Sequence, residues 1–384
     1  MRDSFRFCLL LVAVSVIASG CSLTGRSVDP TIAAPPFKWG FIGPLSGPAS
    51  VYGVPALNAA RMAVDEINSK GGIDGRKIDL IVEDGKCDGA TAVTAAQKLI
   101  SVDNVYVIIG GHCSTESMSI LPVAQTNNVF VVSSITSTPA FTGKGRFAFR
   151  MSPSSTYYNG AQADVAFSKG LRKVAILHEQ RDFSAGLAQA FTKRFEELGG
   201  EVVITESFLP ETMDFRTQLE KIRAVEPDAL LVSTQMPATA SVMLKQIKEM
   251  RLEIPLIGDA AVVSLSTYNL SAGALPDDAW SVTPHVDGSE NDVASRFASE
   301  YRRQFGEPKV ELSFAAENYD AVYLLSDAIS SCGQNNECIR GFFMATKHRP
   351  SALGDFSIGP DGDPVYSLSM VRIINGTAVY QKVR

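Results

Sequence analysis

The sequence predicts an α/β protein made of two doubly wound parallel-sheet lobes. Three observations carry this. Short apolar runs alternate with helical periods, the alternation occurs in two blocks that meet near residue 155, and 384 residues exceed what one hydrophobic core usually supports. The runs are apolar throughout rather than every second residue. That pattern belongs to strands buried on both faces, which means parallel sheets covered by helices.

In the first block, residues 37–42 read as a strand ending at Gly43-Pro44. Leu57, Ala60, Val64 and Ile67 then recur at helical spacing until Gly71-Gly72 stops the helix. Residues 78–82 read as a strand and 90–100 as a helix with Val93, Ala96 and Ile100 facing in. Residues 105–109 read as an apolar strand, 114–127 as a helix and 129–132 as a strand. In the second block, residues 173–177, 202–208, 229–233 and 254–257 read as strands. Residues 184–198, 215–224 and 240–250 read as helices, the first closed by Gly199-Gly200. The tail differs. Residues 292–305 and 313–330 read as helices, the second with Phe314, Ala321, Leu324 and Leu325 apolar. Residues 344–384 read as strands and turns around Gly359-Pro360-Asp361-Gly362, which suggests a chain returning to both lobes.

The N-terminus reads as an export signal. Arg2 and Arg6 precede an apolar run from Phe7 to Ile17, too short to span a bilayer, and Ala18-Ser19-Gly20 follow. Ala-Ser-Gly-Cys21 resembles the bacterial lipobox, whose cysteine becomes lipidated. Residues 22–36, rich in Ser, Thr, Gly and Pro, read as a flexible tether. Without residues 1–20, 33 Lys+Arg face 40 Asp+Glu, a balance of −7 with no basic run. Nucleic acid is therefore not an expected partner.

Open parallel sheets bind ligands at the carboxyl ends of their strands. In the first block that selects residues 43–52, 110–115 and 133–138. The second of these enters a helix at Ser114, where unpaired N–H groups and the helix dipole suit a carboxylate; an ordinary N-cap serine gives the same pattern. The hydroxyl-rich run 133–138 also has an ordinary reading as a strand-end turn. GxSxG, GxxxxGK[ST], GxGxxG, HExxH and CxxC are all absent. His112 beside Cys113 suggests a metal pair, but an exported chain explains that cysteine better by a disulfide. Asp361-Gly362-Asp363 lacks the other acids of a calcium loop and reads as a turn. No catalytic residue, metal or cofactor is expected.

Beyond Cys8 and Cys21, four cysteines remain, with three possible pairings. Cys87 follows the second strand and Cys113 the third, so neighbouring strands favour Cys87–Cys113. Cys332–Cys338 then closes a short loop.

The segments FIGPLSGPASVYG, AVDEINSKGGIDGRKI, EDGKCD and IIGGHCSTES resemble the periplasmic leucine/isoleucine/valine-binding proteins of ABC importers. HEQRDFSAGLA and PAFT further on fit the same pattern. The resemblance implies two lobes joined by a three-stranded hinge, with the ligand cleft between them. The lobes would be residues 37–155 plus 284–350, and 156–283 plus 351–384. It also implies a disulfide at Cys87 and Cys113, a solute carboxylate at Ser114, and an ammonium met by the backbone of Ile135 and the hydroxyl of Ser137. Tyr52 would stand at the cleft mouth and Phe183, where the family has Tyr, on the second lobe. The family's ammonium-binding acid falls at Ala260; Asp259, one residue earlier, is the candidate to replace it. The expected function is a monomeric extracytoplasmic lipoprotein, in the periplasm or on the cell surface. It would bind a small amino acid or related carboxylate or amide and deliver it to ABC permease subunits. The alternatives are a solute-sensing domain of the same fold and an exported enzyme.

Overall fold

The structure is a computed structural model that describes residues 35–284 and 291–383. The signal, Cys21 and nearly all of the tether lie outside the described residues. The first alternation gives β1 (Phe37–Gly43), α1 (Ser50–Ser69), β2 (Ile78–Asp84), α2 (Gly89–Ser101), β3 (Val107–Gly110), α3 (Ser114–Thr126), β4 (Phe130–Ser133) and β5 (Ala148–Arg150). These strands form a parallel sheet in the order β2-β1-β3-β4-β5. Side chains on a strand alternate between faces, and both faces here are buried. Trp39, Phe41, Val107, Ile109, Phe130 and Val132 pack on one side with the α1 stripe. Ile42, Ile108 and Val131 pack on the other with Ala96 and Leu99 of α2 and Ile120 of α3.

The second alternation gives α4 (Ser155–Ser168), β6 (Lys173–Glu179), α5 (Asp182–Glu197), β7 (Glu201–Phe208), α6 (Arg216–Ala224), β8 (Ala229–Ser233), α7 (Pro237–Glu249), β9 (Leu256–Gly258), α8 (Leu265–Leu270) and β10 (Trp280–Thr283). Here too alternate residues part. Val174, Ile176, Leu231 and Ile257 pack with Leu187 and Phe191 of α5. Ala175, Leu177, Leu230 and Val232 pack with Leu219 of α6 and Leu244 of α7. The last stretch gives α9 (Asp292–Phe305), α10 (Ser313–Cys332), α11 (Asn336–Ala345), β11 (Ser357–Ile358), β12 (Pro364–Val365), β13 (Ser369–Ile374) and β14 (Thr377–Lys382). The second sheet has the order β14-β13-β10-β9-β8-β6-β7; β13 runs antiparallel to both of its neighbours, β10 and β14, and the other pairs are parallel.

The chain passes between the two sheets three times: between β5 and α4, after β10, and before β13. The third passage is later than expected. Ala352, Leu353, Phe356, Ile358 and Tyr366 belong to the first core, whereas Leu368 and Met370 belong to the second sheet's. The division therefore falls between Tyr366 and Leu368 rather than after residue 350. A buried ion pair fixes this stretch to the first sheet: Arg150 donates from Nε to Asp363 Oδ1 at 2.7 Å and from Nη2 to Asp363 Oδ2 at 2.5 Å. The Asp361-Gly362-Asp363 turn thus serves to hold Arg150.

Five elements had no signal strong enough to place them: β5, α4, α8, β10 and α11. The buried face of α4 is Ser155, Asn159, Gly160, Gln162, Ala163 and Ala166, too polar and small to form a stripe. Part of its polarity is satisfied: Asn159 Nδ2 donates to Gln162 Oε1 at 2.9 Å and Gln162 Nε2 to Gly258 O at 2.7 Å. The turn between β13 and β14 is Asn375-Gly376, both at positive φ, a pair that often closes hairpins. Among the described residues no helix is long and apolar enough to cross a membrane.

Candidate functional site

The strand ends of both sheets converge on one cavity. The first sheet supplies the loops after β1, β3 and β4; the second supplies those after β6, β8, β9 and β10, and the first turns of α10 complete the wall. A water-sized sphere can place its centre in about 80 Å³ of this space. That is several times the roughly 10–15 Å³ that one water needs. Tyr52, Ser114, Ile135, Ser137 and Phe183 all line it.

The loop after β3 is the most tightly built part. Gly110 has φ of 138°, and a Cβ there would lie 2.0 Å from Ile42 O; at Gly111, with φ of 61°, one would lie 2.7 Å from Ser117 Cα. Only glycine allows this approach. The helix α3 then starts at Ser114 with Cys113 as its N-cap, so Ser114 is the first helical residue and not the cap. Its side chain sits in the wall beside the unpaired N–H groups of the helix end, 4% exposed. Glu116, buried, organises the loop. Its Oε1 accepts from Cys87 N at 2.8 Å and its Oε2 from His112 N at 2.9 Å and Cys113 N at 3.1 Å. Burial pushes its carboxyl up to about 7 against the pull of these donors. A Glu three residues after an N-cap is the capping-box signal, which could have found it.

Cys87 and Cys113 are joined, with Cα atoms 5.4 Å apart, and Cys332 and Cys338 form the second bridge. The reason for the first differs from the expected one. β2 and β3 are not neighbours but flank β1, and the disulfide spans the end of that strand. His112 holds no metal position: Nδ1 donates to Ile42 O at 2.6 Å and Nε2 lies 2.8 Å from Asn318 Oδ1.

Several contacts cross from one sheet's loops to the other's. Tyr52 Oη donates to Gln235 O at 2.9 Å. Gln235 Nε2 reaches back to Cys87 Sγ at 3.0 Å and Cys113 Sγ at 3.2 Å. Thr115 Oγ1 donates to Asp182 Oδ2 at 3.2 Å, and Tyr158 Oη to Ser137 Oγ at 3.1 Å. Tyr52 also meets Phe314 edge-on with ring centres 5.2 Å apart. Sequence reasoning missed Tyr158, Gln235, Phe314 and Glu317, because α4 carries no stripe and nothing local marks the rest as wall residues.

Asp259 is the correction. Ala260 lines the cavity and Asp259 does not. Asp259 Oδ2 accepts from Ser233 Oγ at 2.8 Å and Thr234 N at 2.9 Å; Oδ1 accepts from Ala261 N at 2.8 Å and Val262 N at 3.0 Å. Both oxygens are occupied by the loop that the residue shapes. Burial pushes this carboxyl up to about 7, opposed by the same donors.

The family model of the periplasmic binding proteins matches residues 36–377. The Leu/Ile/Val-binding protein BraC3 of Rhizobium johnstonii is 25% identical over 84% of this chain and 88% of its own length. An amino acid binding protein of Pseudomonas aeruginosa is 25% identical over 94% of each chain. Among solved structures, the leucine-binding protein LivK of Thermotoga maritima superposes with a TM-score of 0.81 at 24% identity, covering 90% of this chain and 97% of that one. An ABC transporter solute-binding protein from R. palustris in complex with benzoate gives 0.80 at 20%, covering 91% and 96%. The matched proteins are solute-binding proteins, not enzymes.

Proposed function

The chain belongs to the periplasmic binding protein family, and from that premise we propose that it is the lipid-anchored solute-binding subunit of an ABC importer. It takes a small amino acid or a related carboxylate or amide between its lobes and closes on it by a hinge. The observation that carries this reading is the cavity itself, whose wall comes from the strand-end loops of both sheets. A solute touching both walls binds the closed state better than the open one, and that difference drives closure. The N-terminus of α3, with Ser114, receives the carboxylate; Ile135 and Ser137 lie on the same wall and Phe183 on the opposite one. The three passages between sheets form the hinge. Cys21 carries the lipid, and the closed protein docks on permease subunits as a monomer.

A thermal-unfolding panel tests the reading. It should include branched-chain and other amino acids, benzoate and hydroxybenzoates, aliphatic carboxylates and amides. A solute at 100 times its Kd adds about 2.7 kcal/mol to the stability, which such a screen reads directly. Failure of every class to shift unfolding would defeat the reading. Detergent partitioning of the intact chain and of C21A tests the anchor, and persistence of partitioning in C21A would refute it.

A further inference from the structure

The wall of the cavity contains one carboxyl group and no Lys or Arg side chain among the described residues. That carboxyl is Glu317, on α10, one helical turn beyond the Phe314 that meets Tyr52. It is 2% exposed, and its Oε2 has no hydrogen-bond partner among the described residues.

Three buried acids of the loops around the cavity behave differently, while Asp320, one turn further along α10 and off the cavity wall, also leaves its Oδ2 without a partner. Glu116 and Asp259 have both oxygens taken by N–H and O–H donors, as described. Glu179 does too: Oε1 accepts from Arg181 Nε at 2.8 Å, and Oε2 from Thr234 Oγ1 at 2.8 Å and Gln235 N at 2.7 Å. Those three shape loops. Glu317 lines the cavity with an acceptor left open, and a buried carboxylate without a donor is costly. The donor it lacks is one that the cavity's occupant can bring.

The charges of the cavity fit a solute with two ends. The helix end at Ser114 offers partial positive charge to a carboxylate. Glu317 offers a carboxyl that a cation can ionise, and no Lys or Arg on the wall competes for it; His112 also lies on the wall, but its ring nitrogens are engaged by Ile42 O and Asn318 Oδ1. A solute carrying only a carboxylate would leave Glu317 unpaired; one carrying an ammonium as well satisfies both. We propose that Glu317 binds the cationic nitrogen of the solute, which restricts the site to solutes bearing both a carboxylate and a protonated amine. This rests on the solute-binding reading above and narrows it. Burial, with Asp320 one turn along the helix, pushes the Glu317 carboxyl well above the usual range, while the Ser152 hydroxyl opposes the shift. An arriving cation would bring it back down.

The test compares pairs of probes that differ only in the amine: leucine with 4-methylpentanoate, and phenylalanine with 3-phenylpropanoate. Binding to the full chain is measured by titration calorimetry for the native protein and for E317Q, which keeps the side chain's shape, and thermal unfolding of E317Q checks its fold. In the native protein the amine-bearing partner should bind about ten-fold tighter or more, the size of a charge-assisted hydrogen bond. E317Q should bring that ratio close to one by weakening only the amine-bearing partner. An unchanged ratio in E317Q overturns the proposal. A native preference for the deaminated acid, which requires no variant, overturns it as well and leaves the solute-binding reading standing. If no member of either pair binds the native protein, the proposal falls together with an amino-acid reading of the cavity.

Discussion

The phenol of Tyr52, on α1 of the first lobe, donates to the main-chain carbonyl of Gln235, in the loop after β8 of the second, at 2.9 Å. The contact ties the α1 entry of one lobe to a strand-end loop of the other. Burial, aided by the charges of Asp259 and Glu179, holds the phenol neutral, so it remains a donor at any ordinary pH. A Y52F variant should keep its stability and lose solute affinity by about two- to ten-fold, the net worth of one hydrogen bond. Calorimetry with the solute found by the panel checks this; unchanged affinity would mean that the bond does not favour closure.

Ser114 and Asp259 should separate binding from stability. Ser114 stands in the wall and caps nothing, so S114A should weaken solute binding with little change in the urea midpoint. Asp259 satisfies four donors from its own and the neighbouring loop. D259N turns an amide N–H₂ towards donors and should cost about 1–3 kcal/mol of stability without changing which solutes bind.

The disulfide between Cys87 and Cys113 closes a span of 26 residues. In the chain-entropy view such a link stabilises by about 3 kcal/mol. Replacing both cysteines with alanine should lower stability by that order and also weaken binding, because the amide of Gln235 rests on both sulfurs. Parallel urea titrations and calorimetry read the two effects.

Stability should fall as pH rises from about 4 to about 7. Glu116, Asp259 and Asp320 have carboxyls pushed up to about 7 by burial, against 4.5 for an ordinary Glu and 3.8 for Asp. Between those values the folded chain holds more protons than the unfolded one, so each unit of pH favours unfolding. Urea midpoints at pH 5 and pH 7.5 should rank the lower pH as the more stable; the reverse order would contradict the burial assigned to these groups.

Much of this was legible where chemistry is local. The α1 stripe, the parallel strands and the loop after β3 follow from apolar spacing and from Gly110-Gly111 near the strand end. The wall residues of the first sheet were within reach because their loops directly follow apolar strands. What eluded the sequence lies where distant segments meet. The helix α4 buries Asn159 and Gln162, and Gln162 finds its partner in Gly258, 96 positions away, so no stripe announced it or Tyr158. The boundary near residue 350 moved because Arg150 and Asp363, 213 positions apart, form an ion pair that no spacing reveals. Glu317 reads in the sequence as one more acid on a helix; only its place in the wall, with an oxygen left unpaired, gives it a role.

Closure on a solute is the central claim, and small-angle X-ray scattering tests it most directly. The radius of gyration of the native chain should fall on adding a saturating amount of the solute identified by the panel, and Y52F should need more solute for the same change. A radius of gyration that is identical with and without bound solute would contradict the account.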